Sequence, residues 1–161
     1  MENKGPVLSS ADDDPALIAE VQDFIASRKL LFLASLTPGG RSHASTAPFL
    51  VVDGRFYLFL SDLSEHAVNL KTNPHASLML AADEADTRQP FARLRLSFDV
   101  EAALIGRDDP RWTPLLERIG ERFGSVIDQL RTLADFNLFE LVPANGRYVK
   151  GFGKAYRIGR L

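Results

Sequence analysis

Three groups of residues in this 161-residue chain have types and spacing suited to chemistry. Arg93 and Arg95 lie two apart in Ala92–Ile105, where Leu94, Leu96, Phe98 and Val100 alternate with polar residues. Alternation puts both guanidinium groups on the polar face of a strand. There they can grip carboxylates or phosphate, or pair with Asp99, Glu101 or a neighbouring strand. The run Ser61-Asp62-Leu63-Ser64-Glu65-His66 follows one predicted strand and opens a predicted helix. Free N–H groups at such a junction hold an anion, or the serines serve as plain helix caps. The third group is Gly151-Phe152-Gly153-Lys154-Ala155-Tyr156. Its glycines admit a flat ligand close to the backbone, or make a bulge or a flexible end.

Other chemistries find no pattern. The three histidines, His43, His66 and His75, accompany no nucleophile elbow, no H-E-x-x-H and no phosphate-binding glycine loop. The chain has no cysteine, which excludes disulfides and thiolate metal ligands. No metal site is expected. A net charge of -2 gives no basic field for nucleic acid. No apolar run approaches the roughly 20 residues of a membrane helix. The N-terminal region is acidic where a secretory leader is basic and then apolar. The expectation is a cytoplasmic protein that acts on a small molecule or on another protein.

The elements that must position these groups read as one mainly β, α+β domain over residues 12–161, after a flexible tail over residues 1–11. Asp14-Pro15 caps a helix carrying Leu17, Val21, Phe24 and Ile25 on one stripe. Strands are predicted at Leu30–Leu36, Ser42–Val52 and Arg55–Leu60, with Asp53-Gly54 as a hairpin turn. A short helix from Ser64 to before Pro74 comes next, then strands Ala76–Ala82 and Ala92–Ile105. Two helices follow, bearing Trp112 to Phe123 and Val126 to Leu133. Strands Phe136–Val142 and Arg147–Val149 complete the set, with Pro143-Ala144-Asn145-Gly146 as the turn between them. Six or seven short strands favour a small antiparallel barrel, because closure removes exposed edges. Its narrow interior fills with side chains, so a large cofactor must bind outside or between subunits.

The order of these segments resembles the FMN-binding split-barrel superfamily, the pyridoxamine-5′-phosphate-oxidase-like proteins, and within it the haem-utilisation branch. The resemblance rests on Leu31–Leu36, Ser45-Thr46-Ala47-Pro48-Phe49, Ser61–Pro74, Ala92–Leu96, Asp135–Leu141 and Arg147–Ala155. It implies a split barrel and a homodimer with cofactor in two equivalent intersubunit grooves. It also implies cofactor contacts from Ser45, Thr46 and Pro48 and from Ser61, Ser64, His66, Asn69 and Lys71. Flavin-binding relatives clasp the FMN phosphate with basic residues on the second strand and a serine-arginine-lysine run. This chain has Ser45, Thr46 and Pro48 in the first place and Ser64, Glu65 and His66 in the second. Only Ser61, Ser64, Lys71, Arg93 and Arg95 compensate. Haem-degrading relatives tend to supply a C-terminal axial histidine. Here that region offers Tyr156, as an iron ligand or as a plain structural residue, with Arg93 and Arg95 for the propionates. The resemblance therefore leaves three expectations: an FMN-dependent oxidoreductase, a haem-binding or haem-degrading protein, or a non-catalytic dimeric module that has lost its cofactor.

Overall fold

The computed structural model describes residues 8–161. In chain order its elements are β1 (Ser9–Ser10), α1 (Pro15–Ala26), β2 (Leu30–Leu36), β3 (Ser42–Pro48), β4 (Leu50–Val52), β5 (Arg55–Ser61), α2 (Glu65–Thr72) and β6 (His75–Ala81). After these come β7 (Arg95–Ile105), α3 (Trp112–Phe123), α4 (Val126–Leu130), β8 (Phe136–Gly151) and β9 (Lys154–Ile158).

Helix α1 forms where its sequence signals lie. The Asp14 carboxylate accepts from the Leu17 N–H at 3.1 Å, and Pro15 supplies a first-turn residue with no N–H to satisfy. Its stripe of Leu17, Val21, Phe24 and Ile25 is buried. The strands then close a ring. β2 pairs with β6, β6 with β7, β7 with β8 and β8 with β5, all antiparallel. β5 pairs with β4, and β3, which runs on into β4 through Phe49, pairs back with β2. This is the expected small barrel with flanking helices. Leu31, Leu33, Phe56, Leu58, Leu78, Leu80, Leu96, Phe98 and Tyr148 are buried in its main core together with α1. A second core of Leu50, Tyr57, Trp112, Leu116 and Leu138 packs α3 and α4 against the β4–β5 side.

Four expectations change. The strand expected over Ser42–Val52 is split at Phe49, whose N–H still donates to Lys29 O at 3.2 Å in the β2–β3 register before the chain goes on to pair with β5. The break lets one stretch of chain serve β2 first and β5 next, which is how the ring closes. The Pro143–Gly146 turn is not a reversal. β8 runs straight through it, and the register slips between Ser97–Arg147 and Asp99–Ala144. Turn-type residues here make a β-bulge. Asn145 sits at φ 52 and donates to Asp99 at 3.0 Å. At Gly146 a Cβ would lie 2.3 Å from the Phe98 ring and 2.5 Å from Ile158 O, so only glycine fits. The glycine motif at 151–153 supplies the actual reversal, a β8–β9 hairpin with Gly153 at φ 66. Of the expected tail, residues 1–7 lie outside those described. Its end is ordered: Ser9 and Ser10 pair in parallel with Tyr156 and Arg157, and Ala11 is wholly buried. Finally, β7 starts at Arg95. Pro90–Ala92 forms a 3-10 turn, so Arg93 precedes the strand instead of lying on it.

Candidate functional site

The sequence-predicted residues fall into two groups at opposite ends of β7. Helix α2 sits at the Ala102 end, where the Ala102 N–H donates to Pro74 O at 2.8 Å. Arg95 is seven residues away along the strand, roughly 23 Å at about 3.3 Å per residue. Within one chain, then, Ser61–Lys71 and the arginines do not form one cluster.

At the α2 end most polar groups satisfy one another, although the buried His43 Nδ1 has no partner among the described residues. Asn69, 2% exposed, donates to Ser35 Oγ at 3.0 Å. His66 Nδ1 lies 2.9 Å from Ser45 Oγ, and His43 Nε2 lies 2.8 Å from the Glu65 carboxylate. Burial holds the His66 pKa below its usual 6.5, with nearby His43 adding to the effect. In the loop before α2, Ser61 donates to Asp135 at 2.7 Å and Ser64 donates to Ser61 O at 2.6 Å. Lys71 pairs with Asp62, which also accepts from Asn137 at 2.8 Å. The Lys71 hydrogen bond is the first cause of an Asp62 pKa below the usual carboxylate range. The backbone is spent as well. The N–H groups of Asp62, Leu63 and Ser64 donate to Asp135 O, Ser61 Oγ and Ser61 O. The loop amides before α2 are therefore turned inward, whereas Ser64 makes no side-chain cap and the first-turn N–H groups of α2 stay uncapped beside Glu65.

The other face behaves differently. Cross-strand register places Thr46 beside Phe32, Phe32 beside Met79 and Met79 beside Ser97. These side chains alternate with buried Leu31, Leu33, Leu78, Leu80, Leu96 and Phe98. They therefore stand on the outside of the barrel. With Ala34, Ala44 and Ser77 they line a depression of about 550 Å³, and Phe32 is 46% exposed. A smaller hollow of about 340 Å³ adjoins it through Phe32 and Thr46 and takes in Arg28, Lys29 and Arg93. Arg93 spends its Nε on Ala82 O at 2.6 Å, and Arg95 spends Nη1 on Arg93 O at 2.9 Å. Neither pairs with a carboxylate among the described residues. Asp99 is instead held by Asn145 and Ser77. The arginines thus keep N–H donors for a ligand, beside an apolar floor.

Of the remaining predicted residues, Thr46 and Pro48 are exposed on β3, whereas Ser45 points to the α2 side. Tyr156 is half-buried. It pairs with buried Tyr148 and packs on the main core, on the inner side of β9. Phe32, Met79 and Ser97 were not singled out by the sequence reading. A signal existed: Leu30–Leu36 is apolar on both faces, as in a strand with both faces covered.

A family model described as pyridoxamine 5′-phosphate oxidase matches residues 17–150. The haem oxygenase HutZ of Vibrio cholerae is 42% identical over 139 residues, covering 86% of this chain and 79% of that protein. A crystal structure of V. cholerae HutZ, described as a haem storage protein, superposes with a TM-score of 0.77 at 41% identity. That match covers 82% of this chain and 93% of the other. The crystal structure of Campylobacter jejuni ChuZ gives a TM-score of 0.82 at 31% identity, over 89% of this chain and 59% of that longer one.

Proposed function

Because the chain belongs to the pyridoxamine 5′-phosphate oxidase family, we propose that it is a haem-binding protein whose site is the outer face of β3, β2, β6 and β7, completed by a second copy of the chain. The observation that carries this reading is the pairing of an apolar depression, floored by Phe32 and Met79, with Arg93 in the adjoining hollow and Arg95 two residues along β7 from Ser97. Haem needs both parts. Its flat macrocycle gains from apolar contact, and its propionates gain from charge-assisted hydrogen bonds to guanidinium groups. The likeness to HutZ supports the same ligand. Bound haem would supply iron-centred redox chemistry, tuned by the surrounding protein.

FMN fits these residues less well. Its phosphate carries nearly two negative charges. The amides of 62–64 donate inward, Lys71 is committed to Asp62, and the first turn of α2 carries the acidic Glu65. The Tyr156 ring is on the inner side of β9, so the reading does not use it as an iron ligand. The homodimer is supported by apolar side chains left in water at the two adjoining hollows, Leu30 and Phe32. Contiguous exposed apolar surface of this kind marks an interface or a ligand site. A cytoplasmic location accords with the absence of cysteine.

The test is a hemin titration of the purified protein, with sedimentation analysis alongside. The expected result is a saturable Soret band below about 10 μM hemin and a mass twice the 17.8 kDa of the chain. A protein that leaves the hemin spectrum unchanged overturns the haem reading. A monomer at tens of micromolar overturns the intersubunit groove. If FMN bound and hemin did not, the Ser61–Lys71 segment would have to be the site after all.

A further inference from the structure

The row of outward side chains that forms the haem floor does not stop at Ser97. Across the next pair, Ser97 faces Arg147 of β8, and across the one after, Arg147 faces Arg157 of β9. The row therefore runs Thr46, Phe32, Met79, Ser97, Arg147, Arg157, and ends at Ser10 of β1. Their inner neighbours Tyr148 and Ile158 are buried, so both arginines stand on the outside, where both are exposed. Strands are spaced about 4.8 Å apart. Arg147 is then roughly 10 Å from Met79 along the row, and Arg157 one strand further.

Directly opposed like charges on a sheet destabilise it unless something neutralises them. Among the described residues no carboxylate pairs with either arginine. The nearest acid along β7, Asp99, lies beyond the bulge and is held by Asn145 and Ser77. Two guanidinium groups side by side present parallel donor edges, the arrangement that takes carboxylates bidentately. We infer that Arg147 and Arg157 form a dicarboxylate clamp at the end of the apolar floor, which fixes the haem by its propionates. This inference rests on the haem reading above and extends it. The clamp moves the propionate contacts from Arg93 and Arg95, which lie to one side of the floor, to Arg147 and Arg157, which lie further along its row. The clamp makes the site selective for a flat apolar ligand with acidic groups on one edge, over the same ring without them.

The experiment compares hemin with hemin dimethyl ester, which keeps the macrocycle and iron but has no carboxylates. Both are titrated into the full chain and into Arg147→Gln, Arg157→Gln and the double variant. In the wild type, hemin is expected to bind more tightly than the ester. In the double variant its affinity should fall roughly 10-fold or more, the size of losing charge-assisted hydrogen bonds. The ester should bind wild type and double variant alike, within about 2-fold. Both arginines are exposed, and removing their repulsion should leave the thermal midpoint unchanged or raised, which shows that the variants fold. If the variants bind hemin as the wild type does, or lose hemin and ester equally, the clamp is overturned while the haem reading stands. If the wild type binds neither porphyrin, the haem reading falls and takes the clamp with it.

Discussion

The α2 end and the outer face of the barrel are both built from β2 and β3, and they treat polar groups in opposite ways. At the α2 end, Asn69 and Ser35, His66 and Ser45, Lys71 and Asp62, and Ser61 and Asp135 answer one another. On the outer face, Phe32 and Met79 lie in an open depression, and arginines stand beside them with no carboxylate partner among the described residues. A polar group whose hydrogen bonds are already made contributes to folding, and a ligand would have to break those bonds to use it. An exposed apolar floor beside unneutralised cations is unfavourable in water and is relieved by a ligand or partner. The difference supports the proposal that the first region serves stability and the second serves binding.

The largest effect tests the first half of that contrast. Asn69→Leu should cost about 2–3 kcal/mol, since it removes a buried hydrogen bond and strands the Ser35 hydroxyl. Urea unfolding reads this, and hemin affinity in the folded variant should be unchanged. Loss of hemin binding with stability intact would reverse the assignment. Next, Met79→Glu places a charge on the apolar floor. It should weaken hemin binding at least tenfold, about 1.4 kcal/mol, while the unfolding free energy stays within about 1 kcal/mol. A variant that binds normally would remove the floor from the site.

The third prediction concerns pH. Burial lowers the folded-state pKa of His66 below its usual 6.5, so the unfolded chain takes up this proton first. Stability from His66 is therefore complete above pH 6.5 and is lost as pH falls below it, towards the lower folded-state value. Urea midpoints at about pH 7.5 and 5.5 should show this decline, and His66→Gln should flatten it. An unchanged slope in the variant would mean that the α2 end does not carry the dependence. The smallest effect is at the surface pair of Arg28 and Asp83, 3.1 Å apart with Asp83 largely exposed. Asp83→Asn should change stability by less than about 1 kcal/mol. It frees Arg28 beside the smaller hollow, so any effect on hemin binding should be a modest gain.

Much of the architecture was legible. Asp14-Pro15 marked the start of α1, Asp53-Gly54 marked a hairpin, and the alternation of Leu94 to Val100 marked β7. These are local signals, because caps, turns and strand periods depend on residues a few positions apart. The misreadings share one cause. Pro143–Gly146 has the composition of a turn, yet a turn and a bulge draw on the same residues, and only the neighbouring strands decide between them. Arg93 and Arg95 were found from their spacing, but the fold placed them far from the Ser61–Lys71 segment with which they had been grouped.

The sequence by itself therefore determined the elements, the faces they bury and the small size of the barrel. Side-chain alternation and chain length suffice for that. Which outward residues become neighbours was decided only by the tertiary structure. Phe32, Met79, Ser97, Arg147 and Arg157 come from five strands, and their row exists because each strand pair adopted one register. Register is set by burying the opposite face of every strand at once. It is a property of the closed sheet and not of any segment within it.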